Sequence, residues 1–197
     1  LIVNKPYELA IQPSRKHQND NLISMISNYY IKKNIATNVH IVTRLDFSTS
    51  GIVMVAKSGF IHHLLSKEVI IKKYFAIIKG QMQEKSGIIR LPIRREKEEN
   101  IKRWVFPDGK MSVTKYQVIY EKENNSLVDV ELLTGRTHQI RVHFAYLNHP
   151  LIGDKIYGDG SERMCLHCYF VKFNHPIYKK DITITKNPVW LEENKNA

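Results

Sequence analysis

The chain has little that could fix its fold through cross-links. Its 197 residues include two cysteines, Cys165 and Cys168. That is too few for a disulfide scaffold, and the usage suggests a reducing cytoplasm. One Cys-x-x-Cys near His167 and His175 lacks the second well-spaced pair that a zinc site needs, so packed thiols are the simpler reading and no metal is expected. No apolar run is long enough to cross a bilayer, and no basic amphipathic helix carries Trp or Phe on an apolar side, so no membrane contact is expected. There is no internal repeat, low-complexity tract or clear linker, and no signal peptide is visible. The opening Leu1-Ile2-Val3-Asn4-Lys5-Pro6 reads as the edge of a strand. A single domain over residues 1–197 is therefore expected, with upstream residues, including an amino-terminal module, left open.

Acidic residues are also scarce. Thirty Lys+Arg stand against 19 Asp+Glu, a net charge of +11 and a pI near 9.6. An excess of that size favours an anionic partner, most simply nucleic acid. Apolar content of 43% and charged content of 25% are those of a globular domain with a real core.

Periodicity then places the elements. Asp20 or Asn21 is set to cap a helix whose Leu22, Ile23, Ile26 and Tyr30 share one face. Val39 to Leu45 reads as a strand running into a turn at Asp46. Ile52 to Ala56 is a continuous apolar run, the pattern of a strand buried on both faces. Ser58 begins a helix carrying Ile61, Leu64 and Leu65. Tyr74 to Ile78 reads as another buried strand, ended by Gly80. Val113 to Tyr120 and Leu127 to Leu133 read as antiparallel strands, the second alternating cleanly at Val128, Val130 and Leu132. Gly135 breaks the pattern, and from Thr137 the period becomes helical, with Ile140, Phe144 and Leu147 on one face and Thr134 placed to cap. Leu166 to Phe173 and Ile182 to Ile184 are further strands. Arg90 to Lys110 is highly charged, with Trp104 and Phe106 among its cations, and reads either as a solvated hairpin or as an RNA contact. Strands and helices without regular alternation indicate α+β: a mixed, mainly antiparallel sheet with flanking helices and loops around a basic cleft.

Four motifs come in a fixed order. They are Arg44-Leu45-Asp46-x-x-Thr49-Ser50-Gly51, then Lys73-Tyr74-x-Ala76-x-x-x-Gly80, then Thr134-Gly135-Arg136-Thr137-His138-Gln139-Ile140-Arg141-Val142-His143, then Pro150-Leu151-x-Gly153-Asp154-x-x-Tyr157-Gly158. Asp46 taken alone would be a turn residue paired to a surface arginine; the ordered set reverses that preference. In these motifs the chain resembles the RluA-type pseudouridine synthases, from Val3 to about Pro188. The resemblance implies an isomerase that converts uridine in ribosomal or transfer RNA to its C-glycoside, without metal or organic cofactor, and a monomer is the default. It puts Asp46 at the catalytic aspartate, Tyr74 at a tyrosine packed against the base and Arg141 at the arginine that pairs with the aspartate. Arg44 falls at an arginine that enters the RNA where the base has left. Arg136, Thr137, His138 and Gln139 are expected to contact RNA. One departure stands out: the family usually has His before Arg-Leu-Asp, and this chain has Thr43.

The chemistry agrees with these roles. The N1–C1′ bond must break, the uracil must turn, and C5–C1′ must form. That needs one ionised carboxylate in a sheltered pocket, attacking sugar or base or removing the C2′ proton. Burial raises a carboxyl pKa and a nearby arginine opposes the rise. A ring can hold the detached base by stacking. Two other classes compete: a non-catalytic RNA-binding or ribosome-assembly module on the same fold, and a glycoside hydrolase. The hydrolase ordinarily needs two facing carboxylates, and only Asp46 lies in a suitable motif.

Overall fold

The computed structural model describes residues 1–97, 99, 101–160 and 163–193. Ten strands among them form one sheet. They are β1 (Ile2–Lys5), β2 (His40–Ile41), β3 (Ser50–Ala56), β4 (Ile71–Lys79), β5 (Ser86–Arg95), β6 (Arg103–Val105), β7 (Lys110–Lys122), β8 (Asn125–Leu132), β9 (Leu166–Asn174) and β10 (Asp181–Thr185). The spatial order is β1-β3-β9-β4-β8-β7-β5-β6, with β2 added to β3 and β10 to β9. Only β3 and β9 run parallel among these pairs. The described helices are α1 (Leu22–Lys32), α2 (Gly59–Leu65), α3 (Gln139–Tyr146) and α4 (Val189–Glu193). The α+β expectation holds, with its mainly antiparallel sheet.

β3 shows why its sequence is apolar without alternation. Val53 and Val55 pack on one side against Leu22, Ile26 and Tyr30 of α1. Ile52, Met54 and Ala56 face the main core, which also takes Ala76, Ile78, Val128, Val130 and Phe144. A strand covered on both faces has no polar side to show. Where β3 meets β9, Gly51 lies opposite Cys168 with φ +118°, and a Cβ there would run into the Cys168 backbone. Only glycine accepts both conditions. The Asn21 side chain caps α1 by accepting from the Ser24 N–H at 3.0 Å, and Ser58 caps α2 through the Ile61 N–H.

Two expectations are corrected. The strand expected over Val39 to Leu45 is confined to His40–Ile41. Both the Val42 and Thr43 N–H groups turn to the Met54 carbonyl, at 2.9 and 3.4 Å, and the Thr43 hydroxyl accepts from the Met54 N–H at 2.9 Å. This doubling ends the ladder and releases residues 43–49 as a loop. Secondly, Thr134 does not cap a helix. α3 begins at Gln139, after His138 in the left-handed region at φ 58°, with no side-chain cap. The charged segment has the hairpin form expected of it, β5–β6 and the turn into β7, where Arg94 stacks on Phe106 at 3.7 Å and pairs with Asp108 at 2.7 Å. Residues 98 and 100 of that segment lie outside the described residues.

Candidate active site

The loop before β3, the start of β4 and the turn into α3 converge on one cavity of about 470 Å³. Asp46, Arg44, Tyr74, Arg136, Thr137, His138, Gln139 and Arg141 all line it. Residues separated by almost a hundred positions in sequence thus share one pocket.

Asp46 sits on the loop that β2 releases. Its carbonyl accepts the Thr49 N–H at 3.1 Å, closing a tight turn into β3. Its carboxylate remains 28% exposed, so the unliganded pocket is open to water at this group. From beneath, Lys5 fastens the loop. The Lys5 side chain is fully buried, and its ammonium donates to the carbonyls of Pro6, Leu9 and Phe47 at 2.9, 2.9 and 3.1 Å. One cation therefore ties the strand end at β1, the cavity wall at residues 10–12 and the Asp46 loop. Burial lowers the Lys5 pKa to about 8, and Asp46 opposes that fall.

Arg141 lies in the first turn of α3 and is 4% exposed. Its main partner is not Asp46. Nε and Nη2 grip Asp154 at 2.7 and 2.6 Å, while Nη1 stands 3.9 Å from Asp46 Oδ2. That last distance is an ion-pair contact without a hydrogen bond. Asp154 is wholly buried and also accepts the Ile156 and Tyr157 N–H groups at 2.9 and 3.1 Å. Burial pushes its carboxyl up, but Arg141 and these N–H groups win and hold it below the usual carboxylate value. The expected Asp46–Arg141 pair is thus an Asp46–Arg141–Asp154 chain, with the third member setting the arginine's orientation.

Tyr74 is buried, and burial raises its phenol pKa well above the ordinary value, with Cys168 and Asp46 acting in the same direction. It is a neutral ring on the cavity wall. His138 Nδ1 lies 2.9 Å from the Tyr157 hydroxyl, which accepts the Arg103 N–H at 2.8 Å. The Tyr157 hydroxyl thus links the imidazole to the backbone of β6. Burial lowers the His138 pKa, which favours the neutral imidazole. Arg44, Arg136 and Thr137 are exposed on the rim.

Gln139 has a different place from the expected RNA contact. Its Oε1 accepts from the Thr134 hydroxyl and the Arg136 N–H, at 2.9 and 3.0 Å. Its Nε2 donates to the Val113 carbonyl and Thr114 Oγ1, both at 3.0 Å. Every hydrogen-bonding position of the amide is used inside the protein. Gln139 fixes the turn before α3 to β7, and no side-chain donor or acceptor remains for RNA.

Residues 1–146 match the family described as RNA pseudouridylate synthase. The chain belongs to that family. It is 39% identical over 190 residues to the Bacillus subtilis (strain 168) protein named Uncharacterized RNA pseudouridine synthase YjbO, covering 92% of this chain and 67% of that one. It is 36% identical over 202 residues to Ribosomal large subunit pseudouridine synthase D of Buchnera aphidicola subsp. Schizaphis graminum (strain Sg), covering 91% and 64%. Among solved structures, Human RNA Pseudouridylate Synthase Domain Containing 1 superposes with a TM-score of 0.78 at 26% identity, covering 98% of this chain and 81% of that chain. The chain spans about two thirds of the length of these curated relatives.

Around this cavity, sequence reasoning left out Asp154, Tyr157 and Lys5. Asp154 and Tyr157 had a signal, since both stand in the fourth motif. An acid in a glycine-rich loop of a basic chain is a candidate partner for an arginine. Lys5 had none, because nothing in Asn4-Lys5-Pro6 reveals that the lysine turns inward. Thr43, at the position usually held by His, serves the loop backbone through its bond to Met54. Cys168 is buried in β9, and burial pushes its thiol pKa up to about 12, which makes it inert packing. Among the described residues no group of three or more His, Cys, Asp or Glu is placed to hold a metal ion. No described helix is long and apolar enough to cross a membrane.

Proposed function

We propose that this chain is the catalytic domain of an enzyme that isomerises uridine in RNA to pseudouridine, as a cytoplasmic monomer without metal or organic cofactor. The observation that carries the reading is the convergence of Asp46, Tyr74 and Arg141 on one cavity about the size of a nucleoside pocket.

Each group has one task. A target uridine leaves its stack and enters the pocket, and the Arg44 guanidinium on the rim fills the gap. The Asp46 carboxylate acts at the glycosidic centre as the N1–C1′ bond breaks. Arg141 keeps a positive charge beside it, and because Asp154 holds two of its nitrogens, that charge does not swing away. The neutral Tyr74 ring stacks on the freed uracil while it turns. C5 then bonds to C1′, C5 loses its proton and N1 gains one, so atoms and charge balance without a co-reactant. As the RNA covers the mouth, water leaves and the Asp46–Arg141 attraction strengthens. Basic residues on the rim supply salt-sensitive, sequence-independent attraction.

Relatives named for the large ribosomal subunit support ribosomal RNA as substrate ahead of transfer RNA. The test is tritium release from RNA labelled at uridine C5, using total RNA from cells lacking the protein. The wild-type chain is expected to release tritium and Asp46→Ala none. Tight binding with no release from any RNA would overturn the reading in favour of a binding or ribosome-assembly module.

A further inference from the structure

A cation in the cavity is left without a partner. Lys72 lies on β4 two residues before Tyr74, and both line the cavity. Side chains two apart on a strand share a face, roughly 7 Å apart. Lys73 between them points the other way, with Nζ 5.8 Å from the centre of the Phe170 ring. Four other lysines have hydrogen-bond or ion-pair partners: Lys5 its carbonyls, Lys85 Glu121, Lys155 Glu8 and Lys172 Asp181. Lys72 Nζ has no hydrogen bond or ion pair among the described residues. It is partly buried, and that burial lowers its pKa, with the Cys168 thiol opposing.

The opposite wall leaves room for a ligand. A Cβ built on Gly135 would have Lys72 Nζ as its one neighbour, at 3.9 Å. Gly135 has no need of a positive φ, so open space over Nζ is what its missing side chain provides here. The exposed guanidinium of Arg136 follows directly. A desolvated, unpaired ammonium is costly, and the cost is recovered when an anion arrives.

We propose that Lys72 Nζ binds a backbone phosphate of the target nucleotide, one same-face step along β4 from the base-stacking ring of Tyr74. The assignment rests on the RNA-isomerase reading and adds the subsite that grips the flipped nucleotide. Lys72 then contributes to capture of the substrate and leaves the chemistry to Asp46.

The experiment compares Lys72→Met and Lys72→Arg, each in an Asp46→Asn background, for binding a ten-nucleotide oligouridylate across 50–200 mM salt. Circular dichroism melts check that each variant folds. Lys72→Met is expected to weaken binding about 10-fold and flatten the log–log salt slope by about 0.7, the value of one lost single-strand phosphate contact. Lys72→Arg should keep the slope. With Asp46 intact, Lys72→Met should raise KM for tritium release and leave kcat largely unchanged. An unchanged salt slope in Lys72→Met overturns the proposal, as does a loss confined to kcat, which would place the ammonium on the base. Failure of the wild-type chain to release tritium would instead sink the isomerase reading while the salt comparison still stood.

Discussion

Arg141 is joined to Asp154 by two short bonds, Nε–Oδ2 at 2.7 Å and Nη2–Oδ1 at 2.6 Å, and touches Asp46 only with its third nitrogen at 3.9 Å. Asp154 thus sets the orientation of the cation that faces Asp46. Removing Asp154 takes from a buried guanidinium both of its short hydrogen bonds and leaves only the 3.9 Å contact with Asp46. Asp154→Ala is expected to destabilise the fold by about 3–5 kcal/mol in urea titrations. Asp154→Asn, of equal size, should fold better yet lose about 100-fold in kcat for tritium release, because Arg141 is then free to close on Asp46 in the wrong geometry.

Asp46→Asn keeps shape and removes charge. It should bind RNA as tightly as the wild type and form no pseudouridine above background. Full product formation by this variant or by Asp46→Ala would eliminate the carboxylate mechanism.

Gln139 separates a structural from an RNA-contacting role. Gln139→Leu strands the Thr134 hydroxyl proton and the Arg136 N–H and takes one donor each from the Val113 carbonyl, which keeps the Leu133 N–H at 3.1 Å, and from Thr114 Oγ1. A loss of roughly 3 kcal/mol of stability is expected, with the salt slope of RNA binding unchanged. A flattened slope with unchanged stability would return Gln139 to the RNA surface.

Lys5→Met tests the clamp under the Asp46 loop. The Pro6, Leu9 and Phe47 carbonyls lose their shared donor, and a cost of about 3 kcal/mol is expected. Hydrogen exchange should rise at residues 6–12 and 43–49 together. Faster exchange at only one of these segments would show that Lys5 does not join them.

Acid sensitivity should come from two buried histidines. His143 sits between Thr114 Oγ1 at 2.9 Å and the Leu91 carbonyl at 3.4 Å. His167 sits between Ser50 Oγ at 2.8 Å and the Lys186 carbonyl at 2.9 Å. Burial lowers both pKa values from 6.5 to about 4. Between those values the unfolded chain binds more protons than the folded one, so stability falls as pH falls from 6.5 towards 4. At pH 5 the loss from His143 alone is about 2 kcal/mol. His143→Gln should flatten this limb of the stability curve, and an unchanged limb would remove His143 as a cause.

The local order of this chain was written in short stretches. Asn21 and Ser58 announce α1 and α2, the unbroken apolar run at Ile52 to Ala56 announces a strand covered twice, and Val128, Val130 and Leu132 announce one face of β8. Resemblance in four ordered motifs also pointed to Asp46, Tyr74 and Arg141, and the chemistry admits few residue types in each role. What the tertiary structure decided was pairing. Arg141 could satisfy either of two acids, and the buried N–H groups of Ile156 and Tyr157 placed Asp154 to take the fork. Lys5 and Lys72 look alike in sequence; backbone carbonyls saturate the first, and open space beside Gly135 leaves the second unpaired. Sequence specifies which groups are available, but a hydrogen bond requires distance and direction, and these exist only once the sheet has closed around the cavity.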